Sequence, residues 1–275
     1  MSAAQVHPSA VVAPGAVLSS GVIVGPHCIV GDGAVIGEGT RLISGVTIEG
    51  RTDIGRRCVL YPGVCVGLAP QVKGRSFEET RVVIGDDNIL REHATVHGAS
   101  KPDGVTRLGD RNFLMVNTHV AHDCALGSDI TMANATLLGG HVSVEDGAVI
   151  GGMVGVHQFV RIGRLAMIGA FTKLVNDIAP YSIVDGNPAA LYGANVIGLR
   201  RAGFKPEEVR AVRRALLTLL CSGRNLSLAQ DEVAAELGQV PAVGHILDFI
   251  RASKRGVLRG SSAKDGEQAA IEEVL

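Results

Sequence analysis

The chain has 275 residues and a formal net charge of −1; 46% of it is hydrophobic but only 3% aromatic, with 36 Gly and no Trp. Its apolar content excludes a disordered chain, and its balanced charge excludes a general nucleic-acid binder. No run approaches the roughly 20 apolar residues of a membrane-spanning helix.

Residues 1–13 contain no basic segment followed by an apolar run, so no export signal is visible. Five Cys (28, 58, 65, 124 and 221) without a CxxC pair read as reduced thiols, and the expected compartment is the cytoplasm. From Val6 onward an aliphatic anchor recurs every six positions, through Val12, Leu18, Val24 and Val30 to Leu60 and Val66. The phase is lost at 68–81, resumes at Ile84, Leu90 and Val96, slips again at 98–107, and then runs unbroken over 108–174. Four residues after each anchor a small or β-branched side chain is usual, as at Cys28, Thr40, Thr118 and Ala148; Gly often follows the anchor directly, as at Gly31, Gly37 and Gly85.

A period of six suits neither a helix nor a simple hairpin. It suits a three-sided coil of 18 residues per circuit, with one anchor per side pointing inward and the small residue at the crowded corner. Gly is expected in turns that need positive φ. A prism this narrow excludes rings from its axis, which accounts for the low aromatic content. The two phase breaks predict loops projecting near 68–81 and 98–107, and interruptions of a repeat array often carry binding function.

The period ends near Tyr181, which places the prism in residues 1–184. Asp185-Gly186-Asn187-Pro188 reads as a turn cluster. A helical domain is expected over 185–259, with amphipathic segments at 205–221, 226–237 and 243–252 that shield the last coil. Residues 260–275 are polar and read as a frayed tail.

Residues one circuit apart stack, about 4.8 Å from coil to coil. His122, Gly140 and Gln158 therefore form one column, and Asp123, His141 and Phe159 the next. An outward His beside a Gly suits proton transfer, because imidazole accepts a proton near neutral pH and a bare backbone N–H can reach an oxyanion. Surface His at turns is the plain alternative. The pair His119-x-x-His122 is also compatible with a zinc site.

The repeat resembles that of the hexapeptide-repeat transferases, which implies a left-handed parallel β-helix with a C-terminal α-helical domain. The hand comes from the resemblance alone, since parallel crossovers are generally right-handed. Segments 117–124 (NTHVAHDC), 139–144 (GGHVSV) and 195–204 (NVIGLRRAGF), with Val156-His157-Gln158-Phe159, Pro180-Tyr181 and Gly186-Asn187, are similar to the UDP-N-acetylglucosamine O-acyltransferases. The resemblance covers about residues 5–259.

It implies transfer of a (3-hydroxy)acyl chain from acyl carrier protein to the 3-hydroxyl of UDP-N-acetylglucosamine, the first step of lipid A synthesis. It also implies a homotrimer with sites between prisms, and no metal or organic cofactor, because the thioester is already activated. By residue it implies His122 as general base, Asp123 as the acid that orients it, and Gly140 as oxyanion donor. His97, His119, His141, Gln158 and Lys73 become substrate-binding residues, with His157 adjoining them. Asn195 and Arg201 become holders of nucleotide or donor phosphates. Ala170 matches an acyl-chain ruler, where a methyl in place of Gly shortens the slot. Contact between His122 and Asp123 requires a turn, because strand alternation separates neighbours.

Three departures bear on the acceptor. Gln71 is followed by Val72-Lys73 where the family has an acidic residue, Ile197 stands where Glu is usual, and Ala202 where Arg is usual. They leave open a related sugar nucleotide such as a 3-amino analogue, or a non-catalytic β-helix that only binds. Seven basic residues in 198–225 against two Glu suit an acidic carrier protein as partner.

Overall fold

A computed structural model of the chain describes residues 3–74 and 81–260. Its first part is a left-handed parallel β-helix of three sheets. The first wall starts at Gln5–Val6, the second at Val11–Val12 and the third at Val17–Leu18, and each pairs with the equivalent strand of the following coil. Most strands have two residues, the first facing outward and the second inward; Arg41 is exposed and Leu42 buried. The anchors from Val24 onward are buried, whereas Val6 is 45% exposed on the open first coil.

On most sides the residue three after the anchor takes the left-handed conformation: His27, Asp87, Asn117, Asp123, His141 and Phe159 among others. Most of these are not glycine. The glycines directly after anchors answer a different need. A Cβ on Gly37 would lie 2.5 Å from the Gly55 carbonyl, and one on Gly55 2.4 Å from the Gly85 carbonyl oxygen. Close approach of successive coils therefore selects glycine there, rather than positive φ as the sequence suggested.

The two loops lengthen single circuits. Arg51 pairs with Arg81 across 30 residues, and Val83 with Arg107 across 24, where the unbroken coils have 18. Both loops leave the second wall and rejoin the third, so they project from the same corner. The second is shorter than the phase break suggests, because Val105–Leu108 pairs along its whole length with Arg81–Ile84. Inside a different corner, between the third and first walls, runs an amide ladder. Asn112 donates from its backbone to Asn88 Oδ1 at 2.9 Å and from Nδ2 to the Gly127 carbonyl at 3.0 Å, and its Oδ1 accepts the Ile130 amide at 2.9 Å.

The expected domain boundary at 184 falls inside a strand. Ser182–Asp185 joins the first wall beside Met167–Ile168 and returns antiparallel as Ala190–Ala194, so the turn cluster closes a hairpin. Four α-helices follow among the described residues: α1 (Val196–Arg201), α2 (Pro206–Leu216, continued by a π-helical turn at Leu217–Cys221), α3 (Leu226–Leu237) and α4 (Pro241–Arg251). Asn195 and Asn225 cap α1 and α3, and Pro opens α2 and α4. The buried face of α2 packs on Ala190–Ala194. The α4 helix lies against the third wall, where the Arg161 guanidinium sits 4.1 Å above the Phe249 ring. Apart from Gly260, the expected tail lies outside the described residues. No helix among the described residues is long and apolar enough to cross a membrane.

Candidate active site

The corner from which both loops project also carries His122, Asp123, Gly140, His141 and Gln158. Asp123 has φ +60°, and this turn brings neighbours together that a strand would part: His122 Nδ1 lies 2.7 Å from Asp123 Oδ2. The same oxygen accepts the Ser100 hydroxyl at 2.6 Å and the Ser100 amide at 3.1 Å, both from the second loop. Burial pushes the Asp123 carboxyl up, but these bonds and the nearby His141 outweigh it and hold the group below the usual carboxylate range. An ionised Asp123 can only accept, so the His122 proton resides on Nδ1 and Nε2 is left as a base. A Cβ on Gly140 would lie 2.6 Å from His122 Nε2 and 2.4 Å from Cε1, so only glycine fits beneath the ring. Among the described residues the Gly140 N–H has no acceptor. The His122 ring thus lies close over the bare backbone of Gly140.

Further imidazoles surround this pair. His141 stacks on Phe159 at 4.5 Å, and its Nε2 lies 3.4 Å from Asp123 Oδ2. Burial, with opposition from Asp123, keeps the His141 ring below its ordinary value. His119 Nδ1 lies 2.7 Å from Thr95 Oγ1. Burial, His97 and His122 push His119 down to about 4. His97 is only 8% exposed behind His119, ring centroids 4.9 Å apart, and burial lowers it too. Cys124 is no nucleophile, since burial pushes its thiol up to about 12. Among the described residues, His122, Asp123 and His141 bring three ligand-type atoms within 4.8 Å of one another, a set that includes His122 but not His119.

A cleft of about 480 Å³ runs along the second wall from this corner. His119, His122, Gly140, His157 and Gln71 line it, over a floor that includes Leu137, Val156 and Leu174. The structure does not gather every expected residue here. His97 lies behind the lining, and His141 and Gln158 sit on the outer side of the corner. Lys73 is exposed on the first loop and does not line the cleft, whereas its neighbour Gln71 does. Asn195 is the N-cap of α1: its Oδ1 accepts the Gly198 amide and its Nδ2 donates to the Leu165 carbonyl, both at 2.9 Å. That places it at the corner of the third and first walls. Arg201 is exposed at the end of α1, and Ala170 is exposed at the corner of the first and second walls.

Ser100, Gln71 and Lys173 were not singled out for the site by sequence. The first two sit in loops where the six-residue phase gives no register. Lys173 lies one circuit from Gly155 and two from Leu137, so the period could have found it.

Residues 177–258 match a family model described as "Udp N-acetylglucosamine O-acyltransferase; Domain 2". A curated acyl-[acyl-carrier-protein]–UDP-N-acetylglucosamine O-acyltransferase of Syntrophobacter fumaroxidans is 42% identical over 257 residues, covering 93% of this chain and all of the relative. Its counterpart in Thermodesulfovibrio yellowstonii is 45% identical over 221 residues, 80% of this chain and 86% of the relative. The solved UDP-N-acetylglucosamine acyltransferase of Francisella novicida superposes with a TM-score of 0.88 at 35% identity, covering 97% of this chain and 96% of that one. With that extent of identity joined to the repeat and to the corner where His122 meets Asp123 and Gly140, the chain belongs to the UDP-N-acetylglucosamine O-acyltransferase family.

Proposed function

We propose that this protein transfers an acyl chain from acyl carrier protein to the 3-hydroxyl of UDP-N-acetylglucosamine, the opening acylation of lipid A synthesis, with His122 as general base. The observation that carries the catalytic assignment is the alignment of Asp123, His122 and Gly140: Asp123 holds Nδ1, the ring lies close over the backbone at Gly140, and the Gly140 N–H has no acceptor among the described residues. His122 Nε2 takes the hydroxyl proton as the sugar oxygen attacks the thioester carbonyl. The tetrahedral oxyanion forms against the Gly140 N–H. Its collapse breaks the carbon–sulfur bond, and the departing carrier thiolate receives the proton from His122. A thioester is an activated acyl group, so a base and an oxyanion donor suffice.

Asn195 and Ala170 lie at other corners than His122 in one chain, and Arg201 is exposed at the end of α1. We therefore read the working unit as a homotrimer, in which a neighbouring copy brings these residues to the cleft to hold the nucleotide and measure the chain. Thioester consumption in the presence of UDP-N-acetylglucosamine tests the reaction. His122→Ala is expected to lower kcat by about 10²–10⁴-fold, and unchanged turnover in that variant would remove the base.

A further inference from the structure

The outer face of the second wall carries a row that starts at His119 and runs on past the groups used in the acyl-transfer step. His119, Leu137, Gly155 and Lys173 pair in register from coil to coil. Gly155 lies outside the left-handed region, and a Cβ built on it meets nothing within 4 Å. Neither the backbone nor the packing of this chain asks for glycine there. A strand glycine without such a reason marks a place where another molecule approaches the backbone.

The groove that Gly155 opens ends on positive charge. Lys173 and His157 line its rim. Arg255 arrives from beyond α4: its Nη2 lies 3.3 Å from His157 Nδ1, and its Nε donates to the Val175 carbonyl at 3.2 Å. The return of the chain fixes this position, since Asn176 Nδ2 donates to the Arg255 carbonyl at 3.3 Å and Val257 bridges to Asp177. Among the described residues, neither Lys173 nor Arg255 is paired with a carboxylate.

We propose that Gly155, Lys173 and Arg255 form a phosphate-ester subsite of the acyl-transfer cleft. Glycine lets the ligand lie against the wall, and the two cations hold phosphate oxygens, the guanidinium as a fork and the ammonium as a point charge. The inference rests on the acyl-transfer reading, in which both substrates carry such a group: the diphosphate of the nucleotide sugar and the phosphodiester of the carrier's prosthetic arm.

Steady-state kinetics on the full chain, varying UDP-N-acetylglucosamine and acyl carrier protein in turn, separates these sources. Lys173→Met and Arg255→Met are each expected to raise one KM by about tenfold, with kcat changed by less than about twofold, because lost ground-state binding acts on KM. The substrate whose KM rises is the one held. Gly155→Val raises the same KM, and Lys173→Arg restores it. Arg255 also ties the chain to Val175, so Lys173, exposed and without a polar partner, is the decisive position. Unchanged KM for both substrates in Lys173→Met overturns the subsite. A shift of solution mass in that variant also overturns it, by assigning the cations to a contact between copies. If His122→Ala abolishes turnover while Lys173→Met leaves both KM values alone, the subsite falls and the reaction stands.

Discussion

His122 and Asp123 show how one left-handed residue creates chemistry. With φ +60° at Asp123, two neighbours share a hydrogen bond, and the carboxylate is clamped from the far side by Ser100. The neighbouring imidazoles respond to the same crowding. His97, His119 and His141 all lie below their ordinary values, chiefly because burial disfavours the charged ring. His119 has the largest depression, and it links pH to stability. The unfolded chain protonates this ring near 6.5, and the folded chain only near 4. Between those values the unfolded state binds more protons, so stability is full above about pH 6.5 and declines as pH falls toward 4. His119→Gln removes the titration while keeping a polar partner for Thr95. Thermal melts are expected to lose about 2–4 °C less in this variant than in the parent between about pH 6.5 and 5. Equal losses in both would show that His119 does not contribute.

At the scale of single elements, two-residue strands cannot be stable alone, and each side depends on the coils above and below. The corners seal this stack. Where the circuits after each loop begin, the position four after the anchor is Asn88 or Asn112 instead of a small residue, and both are buried. Their amides link coils whose spacing in sequence the loops have altered. Asn112→Leu keeps the bulk but leaves the buried Ile130 amide without a partner, while the Gly127 carbonyl keeps only the Gly109 amide at 3.2 Å. A loss of about 1–3 kcal/mol is expected in urea unfolding. The helices add a second kind of closure. Hydrogen bonds from Arg161 to Phe249 and from Ser253 to Asp177 pin α4 and the segment after it against the last coils, and so hold Arg255 beside His157. The basic surplus expected to meet a carrier protein is partly neutralised at home, because Arg214 pairs with Glu236 and Arg224 with Glu232. Arg200, Arg201 and Arg210 remain exposed.

For the whole molecule, the distribution of exposed apolar side chains bears on assembly. Met153 is 59% exposed and Phe171 68%, and the two stack at the corner of the first and second walls, beside Leu137 at 50%. A ring this exposed, on a prism that excludes rings from its axis, suits burial by another copy. Phe171→Glu is expected to reduce the solution mass from about three times 28.5 kDa to a single chain and to reduce turnover with it. A parent protein that already sediments as one chain would refute the assembly. Sequence by itself determined the prism, its inward anchors and the columns that stack His122 on Gly140 and Asp123 on His141, because one spacing rule repeats in every circuit. Tertiary structure decided the rest. Ser100 and Gln71 sit in loops that break the period, Arg255 reaches His157 only through the packing of α4, and Asn195 is drawn away to cap a helix. In each case the position depends on contacts between segments far apart in the chain, which no local spacing encodes.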